Sequence, residues 1–170
     1  RVRANVFLLL RAKKNILWLE FKDSLTAFNA QKKGSFENKG GINRDIASII
    51  FRFLKKSNIA SHWLADSGAA DMVCEKLTMI PLEVVARNVV AGSLAKKFGT
   101  DEGADIKKPL VEFYYKKDEL NDPFISDEQA LFIGAAQNQA ELDELKQQAL
   151  LINERMKVFF DKLGVRLVDF

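Results

Sequence analysis

The chain has 170 residues, 48% of them apolar and 29% charged, with 26 basic against 23 acidic side chains and a net charge of +3. That length suits one large domain or two small lobes with a real core, and the composition argues against disorder over most of the chain. A single cysteine, Cys74, and a single histidine, His62, leave no intrachain disulfide, no cysteine-based zinc site and no histidine triad constellation.

The charge is spread out. Lysines occur as scattered pairs (Lys32-Lys33, Lys55-Lys56, Lys96-Lys97, Lys107-Lys108, Lys116-Lys117), not as one basic segment. A small anionic ligand explains that balance as well as a polymer does, and no nucleic-acid partner is expected. No apolar run approaches membrane-spanning length, and VFLLL near the start is too short for a signal sequence. Together with the absence of disulfides, this reads as a soluble, cytoplasmic protein with no membrane partner. The first residue is Arg1 and the last is Phe170 within VRLVDF, a strand-like run without a following turn, so both ends read as cut.

In chain order, residues 6–10 (VFLLL) and 16–21 (ILWLEF) predict two antiparallel strands joined by RAKKN. Residues 22–40 are polar and read as loop with another short strand. Ile42, Ile46, Ile49, Ile50 and Phe53 recur at helical spacing, and Lys55-Lys56 with Ser57-Asn58 end that helix. Strands are predicted at 72–77, 79–86 and 110–115. A short helix is predicted from Ser93 to Phe98 with Gly99 as its stop. Ser126 and Gln129 have capping-box spacing for another helix ending at Gly134. The longest helix starts at Asn138 and Glu141 and places Leu142, Leu145, Ala149, Ile152, Met156, Phe159, Phe160 and Leu163 on one face before Gly164. The prediction is an α+β fold of antiparallel sheets with packed helices, in two lobes, 1–78 and 79–170.

The stretch MIPLEVVARNVVAGSLAKKFG (79–99) carries the first chemical signal. Strand alternation puts Glu83, Val85 and Arg87 on one face and Leu82, Val84 and Ala86 on the other. Arg87 then stands at a sheet margin, just before Gly92 and a predicted N-cap at Ser93. A helix start offers backbone N–H groups to an anion, glycine permits close approach, and a guanidinium can bind two phosphate oxygens. On spacing alone a plainer reading stands beside this one: Ser93 only caps its helix, and Arg87 pairs with a nearby carboxylate.

The same stretch, Met79-Ile80-Pro81-Leu82-Glu83-Val84-Val85-Ala86-Arg87 followed by Asn88-Val89-Val90-Ala91-Gly92-Ser93, resembles the signature of the SAICAR synthetase family, the phosphoribosylaminoimidazole-succinocarboxamide synthases. Four further segments agree in order: FKDSLTAFNAQKKG (21–34), NKGGINRDIAS (38–48), LVEFYYKKDELNDPFI (110–125) and LVDF (167–170). The resemblance implies a two-lobed fold and an ATP-dependent ligase of purine biosynthesis. Such an enzyme joins the carboxylate of carboxyaminoimidazole ribonucleotide to the amine of L-aspartate through an acyl phosphate, with ATP and Mg2+. It implies that Arg87 and Ser93, with Gly92, bind the ribonucleotide 5′-phosphate, that Lys116 contacts ATP, and that Asp122 is a polar site residue. It also implies that Asn29, in Thr26-Ala27-Phe28-Asn29, lines the ribonucleotide pocket and that Asp169 belongs to the substrate site. Glu112, Tyr114 and Lys116 share a strand face, so Lys116 is expected beside a carboxylate.

Two departures stand out. Relatives begin with a glycine-containing hairpin of the form Gly-Lys-Ala-Lys over the ATP phosphates, whereas this chain begins Arg1-Val2-Arg3-Ala4-Asn5. In the family the Leu-Val-Asp motif continues into Lys-x-Glu-Phe-Gly and an acidic segment expected to hold magnesium; here Phe170 is the last residue, and no metal ligand is assigned. A noncatalytic ribonucleotide- or nucleotide-binding module is therefore the competing expectation. Kinase chemistry is disfavoured for want of a Gly-rich phosphate loop. A homo-oligomer is left open.

Overall fold

The computed structural model of the chain describes residues 3–8, 15–27 and 32–170. They fall into two compact units, Arg1–Thr78 and Met79–Phe170.

In the first unit, β1 (Arg3–Leu8), β2 (Ile16–Ala27), β3 (Lys32–Ser35), β4 (Trp63–Ser67) and β5 (Asp71–Glu75) form an antiparallel sheet, with α1 (Lys39–Lys56) between β3 and β4. The strand order is β1-β2-β5-β4, with β3 paired to the far end of β2. The predicted antiparallel pairing of the first two strands is present, with β1 beginning three residues before its predicted start. Residues 9–14, which hold most of the predicted RAKKN joint, lie outside the described residues. Strand β2 runs six residues beyond its predicted end. Lys22, Asp23 and Ser24, read as loop, belong to that strand because β1 and β3 pair with its second half whatever side chains it carries. Asp23 has a second task. Its carboxylate accepts hydrogen bonds from the backbone N–H groups of Asn38 (3.1 Å) and Gly40 (2.8 Å) at the start of α1. Gly40 lies so close to β2 that a Cβ would sit 2.1 Å from the Phe21 carbonyl oxygen, which explains the glycine in Lys-Gly-Gly.

The periodicity of α1 is helical as predicted, yet its isoleucine stripe points outward. Ile42, Ile46 and Ile49 are about half exposed, while Gly40, Gly41, Ser48 and Leu54 are buried. Ser48 is buried because its hydroxyl donates to Asp66, which also accepts from Trp63 Nε1 (3.0 Å) and pairs with Arg52. Burial alone would raise the Asp66 carboxyl, but the bonds from Ser48 and Trp63 and the Arg52 and Arg44 charges hold it below the usual carboxylate range. Strand β4 was not predicted. Its five residues are too few to show a period, although Ser67-Gly68-Ala69-Ala70 is a readable turn into β5.

The second unit contains β6 (Leu82–Val89), α2 (Ser93–Phe98), β7 (Asp105–Tyr115), a 3-10 turn (Asp118–Leu120), β8 (Phe124–Ile125), α3 (Asp127–Phe132) and α4 (Gln139–Asp161). The sheet is antiparallel in the order β6-β7-β8. The last run, predicted as a strand, makes a single bridge at Asp169 along the other edge of β6, with Asn88 N–H donating to the Val168 carbonyl (2.8 Å) and Phe170 N–H to the Ala86 carbonyl (3.1 Å). Ser126 forms the predicted capping box with Gln129, and Asn138 caps α4 through Glu141 N–H (3.0 Å).

Phe113, Ile125, Ala130, Ala136 and Leu142 form the buried core, with Leu82, Val84, Tyr115, Leu131 and Leu145 packed against it. From the predicted α4 face, Leu142, Ala149 and Met156 are buried, whereas Leu163 is 63% exposed. A polar residue shares that face. Asn153 is buried and exchanges two 2.8 Å hydrogen bonds with Asn88 of β6, each amide donating to the other's carbonyl oxygen. Alternation along β6 thus sends Asn88 to α4 and Arg87 to the opposite face.

Candidate functional site

The register pairs Glu83 with Tyr114 and Val85 with Glu112. Side chains directly opposite in an antiparallel pair share a face, so Glu83, Val85, Arg87, Glu112, Tyr114 and Lys116 stand together on the β6–β7 ribbon, away from the helix-packed core. The backbone alone therefore gathers the polar residues of two distant segments.

Arg87 organises one end. It is buried, and its donors fan out to four partners: Nε to Glu112 (2.6 Å), one terminal nitrogen to Asp169 (2.9 Å), and the other to Tyr114 Oη (3.2 Å) and Ser93 Oγ (3.5 Å). Tyr114 in turn donates to the same Glu112 oxygen (3.0 Å). Burial by itself would weaken the guanidinium's hold on its proton, but the bonds and charges of Glu112 and Tyr114 outweigh that and raise its pKa, so Arg87 stays cationic. Both expectations for Arg87 meet here: it pairs with carboxylates, and it also reaches Ser93. At 3.5 Å that last contact is at the limit of a hydrogen bond and holds little by itself.

Ser93 was expected to cap α2, and the structure corrects this. Gly92 occupies the N-cap position, and Ser93 is the first helical residue, exposed, without a capping bond. Gly92 has φ 55° and ψ −119° at the first corner of a tight turn closed by Leu94 N–H to the Ala91 carbonyl (3.2 Å). That conformation belongs to glycine. The Gly92 N–H donates to the Glu102 carboxylate (2.9 Å), so the backbone donor expected for a ligand phosphate already faces an acid.

Lys116 organises the other end. Its ammonium donates to Asp122 Oδ2 (2.8 Å) and lies 3.5 Å from Glu83. Asp122 is buried, and it points back because Asn121 and Asp122 both adopt left-handed backbone conformations after the 3-10 turn, φ 58° and 48°. Such conformations are tolerated by Asn and Asp and cluster at functional sites. Lys116 was expected beside the carboxylate of its own strand face, Glu112; its partners are instead Asp122 and Glu83, and Glu112 pairs with Arg87.

Thus Arg87, Ser93, Gly92 and Asp169 come together, and Lys116 and Asp122 come together. Asn29 lies outside the described residues. Glu112, Tyr114 and Glu83 were not assigned site roles from the sequence, although the alternation that placed Arg87 on one face of β6 also places Glu83 there. Among the described residues no group of three or more His, Cys, Asp or Glu side chains is placed to hold a metal ion, and Glu112 and Asp169 are committed to Arg87. No helix among them is long and apolar enough to cross a membrane.

The geometry can be set against known proteins. The family model described as SAICAR synthetase matches residues 5–170. A phosphoribosylaminoimidazole-succinocarboxamide synthase of Halalkalibacterium halodurans is 45% identical over 157 residues, which are 92% of this chain and 66% of that relative. The chain therefore spans 66% of that relative's length. Among solved structures, SAICAR synthetase from Pyrococcus horikoshii OT3 superposes with a TM-score of 0.92 at 40% identity, covering 98% of this chain and 72% of the other. A second SAICAR synthetase structure, in complex with ADP, gives 0.91 at 39% identity with the same coverage. A match this continuous, over both units and through the Arg87 and Lys116 segments, places the chain in the SAICAR synthetase family.

Proposed function

We propose that this chain is part of an ATP-dependent ligase that joins L-aspartate to the carboxylate of carboxyaminoimidazole ribonucleotide, giving SAICAR, ADP and phosphate, in the cytoplasm. The observation that carries the reading is the shared face of the β6–β7 ribbon, with a buried arginine at one end and an exposed lysine at the other. Arg87 and Glu83 are four residues apart, so the two ends lie about 13 Å from each other at the usual strand rise. That is the scale of a ribonucleotide, with its phosphate at one end and its reacting carboxylate near the other. The SAICAR synthetase solved with ADP supports the use of ATP.

In this reading the 5′-phosphate settles between Arg87 and Ser93, replacing their long contact with two bonds of normal length. Gly92 is exposed and nothing lies within 4 Å of the space a Cβ would fill, so the approach from that side is open, while its N–H is held by Glu102. Asp169 and Glu112 hold the arginine in place. At the other end the ribonucleotide carboxylate attacks the γ-phosphorus of ATP and ADP leaves, forming an acyl phosphate. The aspartate amine then attacks the acyl carbon, the carbon–oxygen bond breaks, phosphate departs and the amine gives up a proton. Lys116 brings positive charge to the transferred phosphoryl group, and Asp122 with Glu83 fixes the ammonium. Mg2+ is expected with ATP, but among the described residues no group of acidic side chains is placed to hold it.

A second reading, a noncatalytic ribonucleotide-binding module, is favoured by that same lack of a metal-holding acid group among the described residues. One assay separates the two. The full protein of which this chain is part is incubated with ATP, L-aspartate and ribonucleotide labelled with 18O in its carboxylate. SAICAR formation with label in the released phosphate supports the ligase. Ribonucleotide binding without product supports the module, and neither binding nor product contradicts both.

A further inference from the structure

Among the described residues, the Arg87 end gathers more negative than positive charge. One guanidinium faces the carboxylates of Glu112 and Asp169, and Glu102 sits on the Gly92 N–H beside Ser93. A phosphate monoester brings nearly two further negative charges, so a further cation beside these acids would favour its binding. One is close. Lys97 lies four residues after Ser93 on α2, hence on the same helix face. Its ammonium rests 3.7 Å from the centroid of the Phe124 ring. Phe124 is edge-on to Tyr114 (centroids 5.8 Å apart), and Tyr114 Oη accepts from Arg87. A single aromatic ring therefore separates the Lys97 ammonium from the Tyr114–Arg87 pair.

We infer that Lys97 is the second cation of the phosphate site, resting on Phe124 without ligand and swinging to the phosphate beside Ser93 and Arg87 when a ribonucleotide binds. The inference rests on the phosphate reading given above. Attraction to an exposed ring is weak beside a charge-assisted hydrogen bond to phosphate, so the move is favourable, and a flexible four-carbon stem permits it.

The test compares aminoimidazole carboxamide ribonucleotide with its riboside, which lacks the phosphate, on wild type, Lys97→Met and Lys97→Arg by calorimetric titration. Methionine keeps the apolar stem on Phe124, and arginine keeps the charge. The expected result is a loss of about tenfold or more in ribonucleotide affinity for Lys97→Met, no change for the riboside, recovery in Lys97→Arg, and a shallower salt dependence in the methionine variant. Unchanged ribonucleotide affinity in Lys97→Met, with wild type still preferring ribonucleotide to riboside, overturns the role of Lys97 and leaves the phosphate site standing. Equal loss for both ligands also overturns it, because the effect then does not depend on phosphate. Wild type binding both ligands equally overturns the phosphate reading and this inference with it.

Discussion

Arg87 makes two ion pairs of similar length in very different surroundings, and removing each partner should have very different consequences. The Glu112 side chain is 10% exposed and bonds both Arg87 and Tyr114, whereas that of Asp169 is 42% exposed. Glu112→Ala leaves a buried guanidinium without its inner partner, which costs about 3–5 kcal/mol. Asp169→Ala removes a solvent-screened pair and leaves its backbone bridge to Arg87 intact, which costs about 0–1 kcal/mol. Arg87→Ala is accordingly expected to destabilise the second unit by leaving the buried Glu112 carboxylate with the Tyr114 hydroxyl but without its cation, in contrast to an exposed ligand-binding arginine that could be removed freely. Both tyrosines, Tyr114 and Tyr115, lie in this unit, so urea unfolding followed by tyrosine near-ultraviolet circular dichroism reports on it. Costs for the two carboxylate variants within about 1 kcal/mol of each other, or a larger cost for Asp169→Ala, would refute the argument that burial decides.

Three other outcomes follow from the packing. Gly40→Ala should cost about 3 kcal/mol, because its Cβ meets the Phe21 backbone oxygen, while Gly34→Ala, with nothing within 4 Å, should be near neutral; tryptophan fluorescence reads this, since Trp18 and Trp63 both lie in the first unit. Asn153→Leu should cost about 2–3 kcal/mol by leaving the Asn88 amide buried without its partner, and a loss below about 0.5 kcal/mol by the tyrosine signal would contradict that. His62 packs edge-on to Phe51 (5.3 Å), and burial lowers its pKa below the ordinary 6.5. The unfolded chain therefore binds this proton more readily, so its contribution to stability is complete above pH 6.5 and is lost as pH falls through the lowered value. His62→Gln should flatten the fall in first-unit stability between pH 7.5 and 5.5; an unchanged slope would show that other groups set it.

What could be read from the sequence was what local pattern dictates. Strand alternation placed Arg87 and Glu83 on one face of β6 and Glu112 and Tyr114 on one face of β7, with Lys116 just past its end. The capping signals at Ser126 and Asn138 fixed two helix starts. What pattern cannot supply is the pairing that joins distant segments. The Glu112–Arg87–Asp169 cluster spans 82 residues, and nothing in α4 announces that Asn153 faces Asn88 across the core. Ser93 illustrates a local limit. A serine before a helical run normally caps it, but Gly92 adopts a turn conformation open to glycine, and the cap position moves back by one. The outward isoleucines of α1 show that periodicity identifies a helix without saying which side is covered.

The most direct test of the central claim is a crystal structure of this chain with the ribonucleotide bound. The account predicts its phosphate within hydrogen-bond distance of both Arg87 and Ser93, with the imidazole carboxylate directed along the β6–β7 face toward Lys116. A ribonucleotide bound with its phosphate away from Arg87 and Ser93, or seated off that face, would contradict it.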